Sequence, residues 1–85
     1  MTAEEAARKL LACLEEFDGY MEVILLSAGT GRVAENRPLA MRAVGRAEQL
    51  LSDPEFAAAC HENGLEAVLE AARTACARGR TVWEG

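Results

Sequence analysis

The chain has a single histidine, and it stands beside a cysteine in Cys60-His61. A thiol and an imidazole are suited to zinc binding and to nucleophilic or general-base chemistry near neutral pH. Their spacing works against both uses. Neighbouring residues on a helix diverge by about 100°, so the two side chains do not converge on one ion. Cys13 or Cys76 would have to be delivered by the fold to complete a site, and both lie on or beside apolar stripes, where cysteine behaves as a small hydrophobe. As a general base, His61 has no evident nucleophile to activate, and no carboxylate pair is placed on a cleft. These residues give no catalytic, cofactor or metal set, and a metal- or thiol-dependent enzyme ranks last of three functional classes.

Two further features could do chemistry. Ser27-Ala28-Gly29-Thr30-Gly31-Arg32 gathers glycines of the kind that let backbone N–H groups meet a phosphate. It lacks the Gly-Lys-Ser/Thr ending of a nucleotide loop, the spacing of a dinucleotide turn and any βαβ context, so it reads as a helix cap and a turn. Arg42 and Arg46 stand one helical turn apart, with Gln49 a further turn along. Such a stripe suits phosphates or acidic protein surfaces, and the helices around Asp53-Pro54 allow a helix-turn-helix comparison. A recognition helix normally carries more basic or amide side chains than the later helices supply. Pairing of the arginines with Glu15, Glu16 or Glu22, or contact with a protein, is the simpler expectation.

Composition points the same way. Fourteen acidic and nine basic side chains give a formal charge of -5, which opposes general affinity for nucleic acid or an anionic membrane surface. The arginines cluster in the middle of the sequence, between acidic flanks. Three widely spaced cysteines without a CxxC do not form a disulfide framework, and no secretion leader or membrane-length apolar run is visible, so the expected location is cytoplasmic. At 85 residues the chain fits one domain with a thin core, since much of its apolar content is alanine.

The elements that must position these side chains are helices. Thr2-Ala3-Glu4-Glu5 is a capping-box start, and Ala6, Leu10, Leu14, Phe17 and Met21 recur on one side at helical spacing. Asp18-Gly19 could be a turn before a strand, but Met21, Ile24, Leu25 and Ala28 continue the same stripe. One helix from about Ala3 to Ala28 is therefore predicted, with Gly19 as the place where it would bend. Val23 and Leu26 fall outside the apolar arc, which leaves the second half of this helix apolar on more than one side.

Asn36 as cap and Pro38 in the first turn predict a second helix ending near Leu51. Leu39, Ala40, Ala43, Val44, Ala47, Leu50 and Leu51 form its apolar arc. Asp53-Pro54 starts a short third helix that ends at Asn63-Gly64, with Phe56, Ala59 and Cys60 inward. A fourth is predicted from Leu65 to about Arg78, with Gly79 as its stop and Leu65, Val68, Leu69, Ala72, Ala75 and Cys76 inward. The expected architecture is an all-α, small antiparallel bundle of three to four helices over residues 1–79, followed by a tail over 80–85. Trp83 in that tail either covers the core or forms part of an interface, and Tyr20 has the same two roles.

The functional expectation is a non-catalytic protein-interaction module, such as an accessory subunit, adaptor, inhibitor or chaperone. Its partner would be a protein, either a second copy or a heterologous chain, and no cofactor or membrane is expected. The candidate interface residues are Tyr20, Val23, Leu26, Arg42, Arg46 and Trp83. An accessory DNA-binding or regulatory domain using the Arg42 and Arg46 face is the alternative.

Overall fold

The computed structural model describes residues 1–84, and among them capping chemistry and apolar spacing produce four helices and no strand. Helix α1 (Ala3–Ser27) begins where the Thr2 hydroxyl accepts a hydrogen bond from the Glu5 N–H at 3.1 Å. It passes through Gly19 without a break, as the continuing stripe requires. It ends where Gly29 takes φ +83°, a conformation that favours glycine because no Cβ meets the preceding carbonyl. Asp53 caps helix α3 (Pro54–Glu62) through the Glu55 N–H at 2.9 Å, and Gly64 at φ +70° follows its end.

Helix α2 (Gly31–Leu51) starts earlier than predicted. Thr30 is its cap: the hydroxyl accepts from the Arg32 N–H at 3.3 Å and donates to the Ser27 carbonyl at 2.6 Å, which closes the turn out of α1. Pro38 therefore lies inside the helix instead of in its first turn, at the expense of one backbone hydrogen bond. Asn36, expected to cap, is mid-helix and donates its side-chain amide to the Arg32 carbonyl at 2.7 Å. Proline's missing N–H suits a helix start, but an earlier cap competed with that signal and won.

Helix α4 (Glu66–Glu84) also overturns an expectation. Gly79 does not stop it; the residue is buried in the helix, and a Cβ built there would stand 3.6 Å from Val44 Cγ2. Residues 80–84, predicted as a patternless tail, form its last turns. Leu69, Ala72, Cys76, Gly79 and Trp83 all face inward at alternating steps of three and four, so Gly79 serves as the small member of a core stripe. Arg80 clamps this end of α4 to α2. Its guanidinium forks onto Glu48, with Nε 2.7 Å from Oε2, and reaches Glu84 at 2.5 Å.

The contacts fix the helix directions. Arg46 on α2 meets Glu16 on α1 at 3.2 Å, as one of the predicted pairings requires, and Arg73 reaches the Leu51 carbonyl from the first half of α4. At the opposite end, Trp83 lines one cavity with Ala40 and Met21. Thus α2 is antiparallel to both α1 and α4. The core packs Leu10 and Phe17 of α1, Val44 and Leu51 of α2, Phe56 and Cys60 of α3, and Leu69 and Cys76 of α4. The molecule measures 44 × 18 × 16 Å, and no helix among the described residues is long and apolar enough to cross a membrane.

Candidate interaction surface at the α1–α2 end

Helix α4 comes level with α1 at Tyr20, whose ring meets Trp83 edge-on with centroids 6.1 Å apart. Seven residues of α1, Met21 to Ser27, continue beyond that level for about 10 Å. On α2, nine residues from Gly31 to Leu39 precede Ala40 and cover about 13 Å. The two helices therefore project as a hairpin past the end of the described part of α4.

That geometry accounts for one of the exposed leucines. Leu25 lies toward the margin of the stripe that packs inward lower down α1, but here no third helix among the described residues covers it, and it is 73% exposed. Leu26 points away from the stripe and is 83% exposed. These are the two most exposed of the large apolar side chains, and Leu39, also on the overhang, is 47% exposed. Val23, Ile24 and Val33 are half-buried beside them. Periodicity placed Leu25, Leu39 and Val68 inward; Leu39 and Val68 sit at the edges of their arcs and face water.

The remaining candidates separate. Val23 and Leu26 share the overhang, whereas Trp83 is buried, with 2% exposure. Of its two anticipated roles, covering the core fits that burial. Tyr20 is half-buried against it. Arg42 is exposed, and Arg46 is engaged by Glu16. Leu25 and Leu39 are the surface residues that the sequence reading missed, and a comparison of the reach of α1 and α4 would have found Leu25.

At the base of the overhang lies a cavity of about 100 Å³, bounded by Phe17, Met21, Val44, Gly79 and Trp83, with Asp18 and Arg78 at its edge. Several polar groups elsewhere pair with one another. His61 Nδ1 lies 2.6 Å from Glu66 Oε1 and bridges α3 to α4 on the surface, while Cys60 is buried. Burial pushes the Cys13, Cys60 and Cys76 thiols above their ordinary range; nearby Glu16 adds to this at Cys13, and Arg73 opposes it at Cys60. The Cys76 thiol contacts the Val44 carbonyl at 3.7 Å. The Glu48 carboxyl is held below its ordinary value chiefly by hydrogen bonding to Arg80, whose guanidinium is raised in turn. Among the described residues, no three His, Cys, Asp or Glu side chains form a metal-ligating group. Comparison with protein-family models, curated proteins and solved structures returns no significant match.

Proposed function

We propose that the chain is a non-catalytic protein-interaction module that docks a protein partner through the projecting end of the α1–α2 hairpin. The observation that carries this reading is the exposure of Leu25, Leu26 and Leu39, all on the projecting end of the hairpin. Isolated exposed leucines are ordinary, but several concentrated at one end of a small chain mark a candidate interaction site. Covering one leucine contributes roughly 1.5–3 kcal/mol, whereas association costs on the order of 4–15 kcal/mol in lost freedom. Two leucines are insufficient alone, so the contact must also enlist Leu39 and the half-buried Val23, Ile24 and Val33. The three free thiols support a reducing, cytoplasmic setting. Engagement of Arg46 by Glu16 leaves less of the arginine stripe for a nucleic-acid backbone.

A photo-reactive amino acid placed at Leu26 tests this in the source cell, with the same probe at exposed Glu70 on α4 as the control. A discrete protein adduct formed from Leu26 and not from Glu70 is expected. Equal, diffuse labelling from both positions would refute the reading.

A further inference from the structure

We propose that the partner at this surface is a second copy of the chain, docked end to end through the two α1–α2 overhangs, an inference that rests on the docking role just proposed. Its warrant is the distribution of charge. Residues 21–39 carry two acidic side chains, Glu22 and Glu35, and two basic ones, Arg32 and Arg37. Their formal sum is zero, so the chain's entire formal charge of -5 lies on the remainder.

A symmetric pair places the same patch against itself, and a patch of one sign would repel its own copy. This patch has equal numbers of both signs beside its leucines, and a two-fold axis allows acids of one copy to face arginines of the other. The acidic remainder constrains the arrangement further. Side-by-side packing of two copies would bring two sets of excess carboxylates together, whereas end-to-end docking of overhangs keeps them at opposite ends of an elongated particle. The 44 Å long axis makes that separation large compared with a Debye length of about 8 Å at physiological salt. Each copy also supplies what the other lacks. Among the described residues no third helix covers the Leu25 side of the overhang, and the partner's two helices would close a four-helix layer there of the kind that bundles form.

Sedimentation equilibrium of the intact chain between about 1 and 100 µM tests the inference, with Leu26→Glu and Leu26→Lys alongside. Leu26 is exposed, so both variants should keep the helical circular dichroism of the parent. The parent is expected to show a monomer–dimer equilibrium. Each variant alone should associate at least about tenfold more weakly, because like charges meet at the contact. An equimolar mixture of the two should recover heterodimer. A parent that remains monomeric throughout would overturn the inference, as would a dimer indifferent to both Leu26 variants. If the monomeric parent still gives a Leu26-specific adduct with a different protein in cells, the docking role stands and only the second copy is rejected.

Discussion

Replacing Trp83 with alanine separates a helical core residue from a tail residue by several kcal/mol. Its side chain is 2% exposed, in the last turn of α4, where it meets Tyr20 edge-on and walls one side of the cavity. An aromatic of this class buries about 150–250 Å², which at 25 cal/mol per Å² corresponds to roughly 4–6 kcal/mol. That figure is an upper bound, because the unfolded chain already shields part of this surface. Large-to-small substitutions in packed cores lose about 3–5 kcal/mol, and this range is the expected loss. A chain of this length has a total stability of about 4–13 kcal/mol, so Trp83→Ala should remove a large share of it. Urea unfolding followed by circular dichroism at 222 nm measures the loss without relying on tryptophan fluorescence, which the variant no longer has. A loss below about 1 kcal/mol would refute the burial argument and return residues 80–84 to the role of a tail.

Gly79→Ala should stabilise the chain by up to about 1 kcal/mol, because alanine favours helix and its methyl would meet Val44 at 3.6 Å, an ordinary contact. A lowered urea midpoint would show that α2 and α4 pack too closely there for a methyl. Since the Glu48 carboxyl is held below its ordinary value by Arg80, its contribution to stability is complete above that ordinary value and is lost as pH falls through the depressed folded one. Glu48→Gln should flatten the acid limb of a urea-midpoint profile, and parallel limbs in parent and variant would count against the pairing. Because burial raises all three thiols, a disulfide reagent at neutral pH should label half-buried Cys13 first and Cys60 and Cys76 only at the rate of unfolding. A fast phase of three thiols in the native chain would contradict this packing.

The positions of the helices were largely legible where caps and apolar periodicity agreed. Thr2 and Asp53 each start a helix through the hydrogen bonds their types imply, and Gly29 and Gly64 take the left-handed conformations expected after helix ends. Misreadings arose where one residue type carries two meanings. Pro38 fits a first turn but is tolerated deeper in the helix once Thr30 has capped an earlier start. Gly79 resembles a stop until its place in the sequence Leu69, Ala72, Cys76, Gly79 and Trp83 is taken as a packing position. The candidate surface was half legible: Leu26 follows from angle alone, because it lies opposite the stripe. Exposure of Leu25 depends on how far α4 reaches along α1, a tertiary relation that the periodicity of a single helix does not encode. The Arg80–Glu48 fork was invisible for the same reason, since it joins residues 32 positions apart.

Leucine-methyl NMR spectra of the selectively labelled chain, compared between its free and assembled states, test the central claim most directly. The account predicts that the Leu25, Leu26 and Leu39 methyls shift and lose access to a soluble paramagnetic probe, while Leu10 and Leu69 in the core stay where they are. Protection confined to Leu11, with Leu25 and Leu26 still open to the probe, would contradict it.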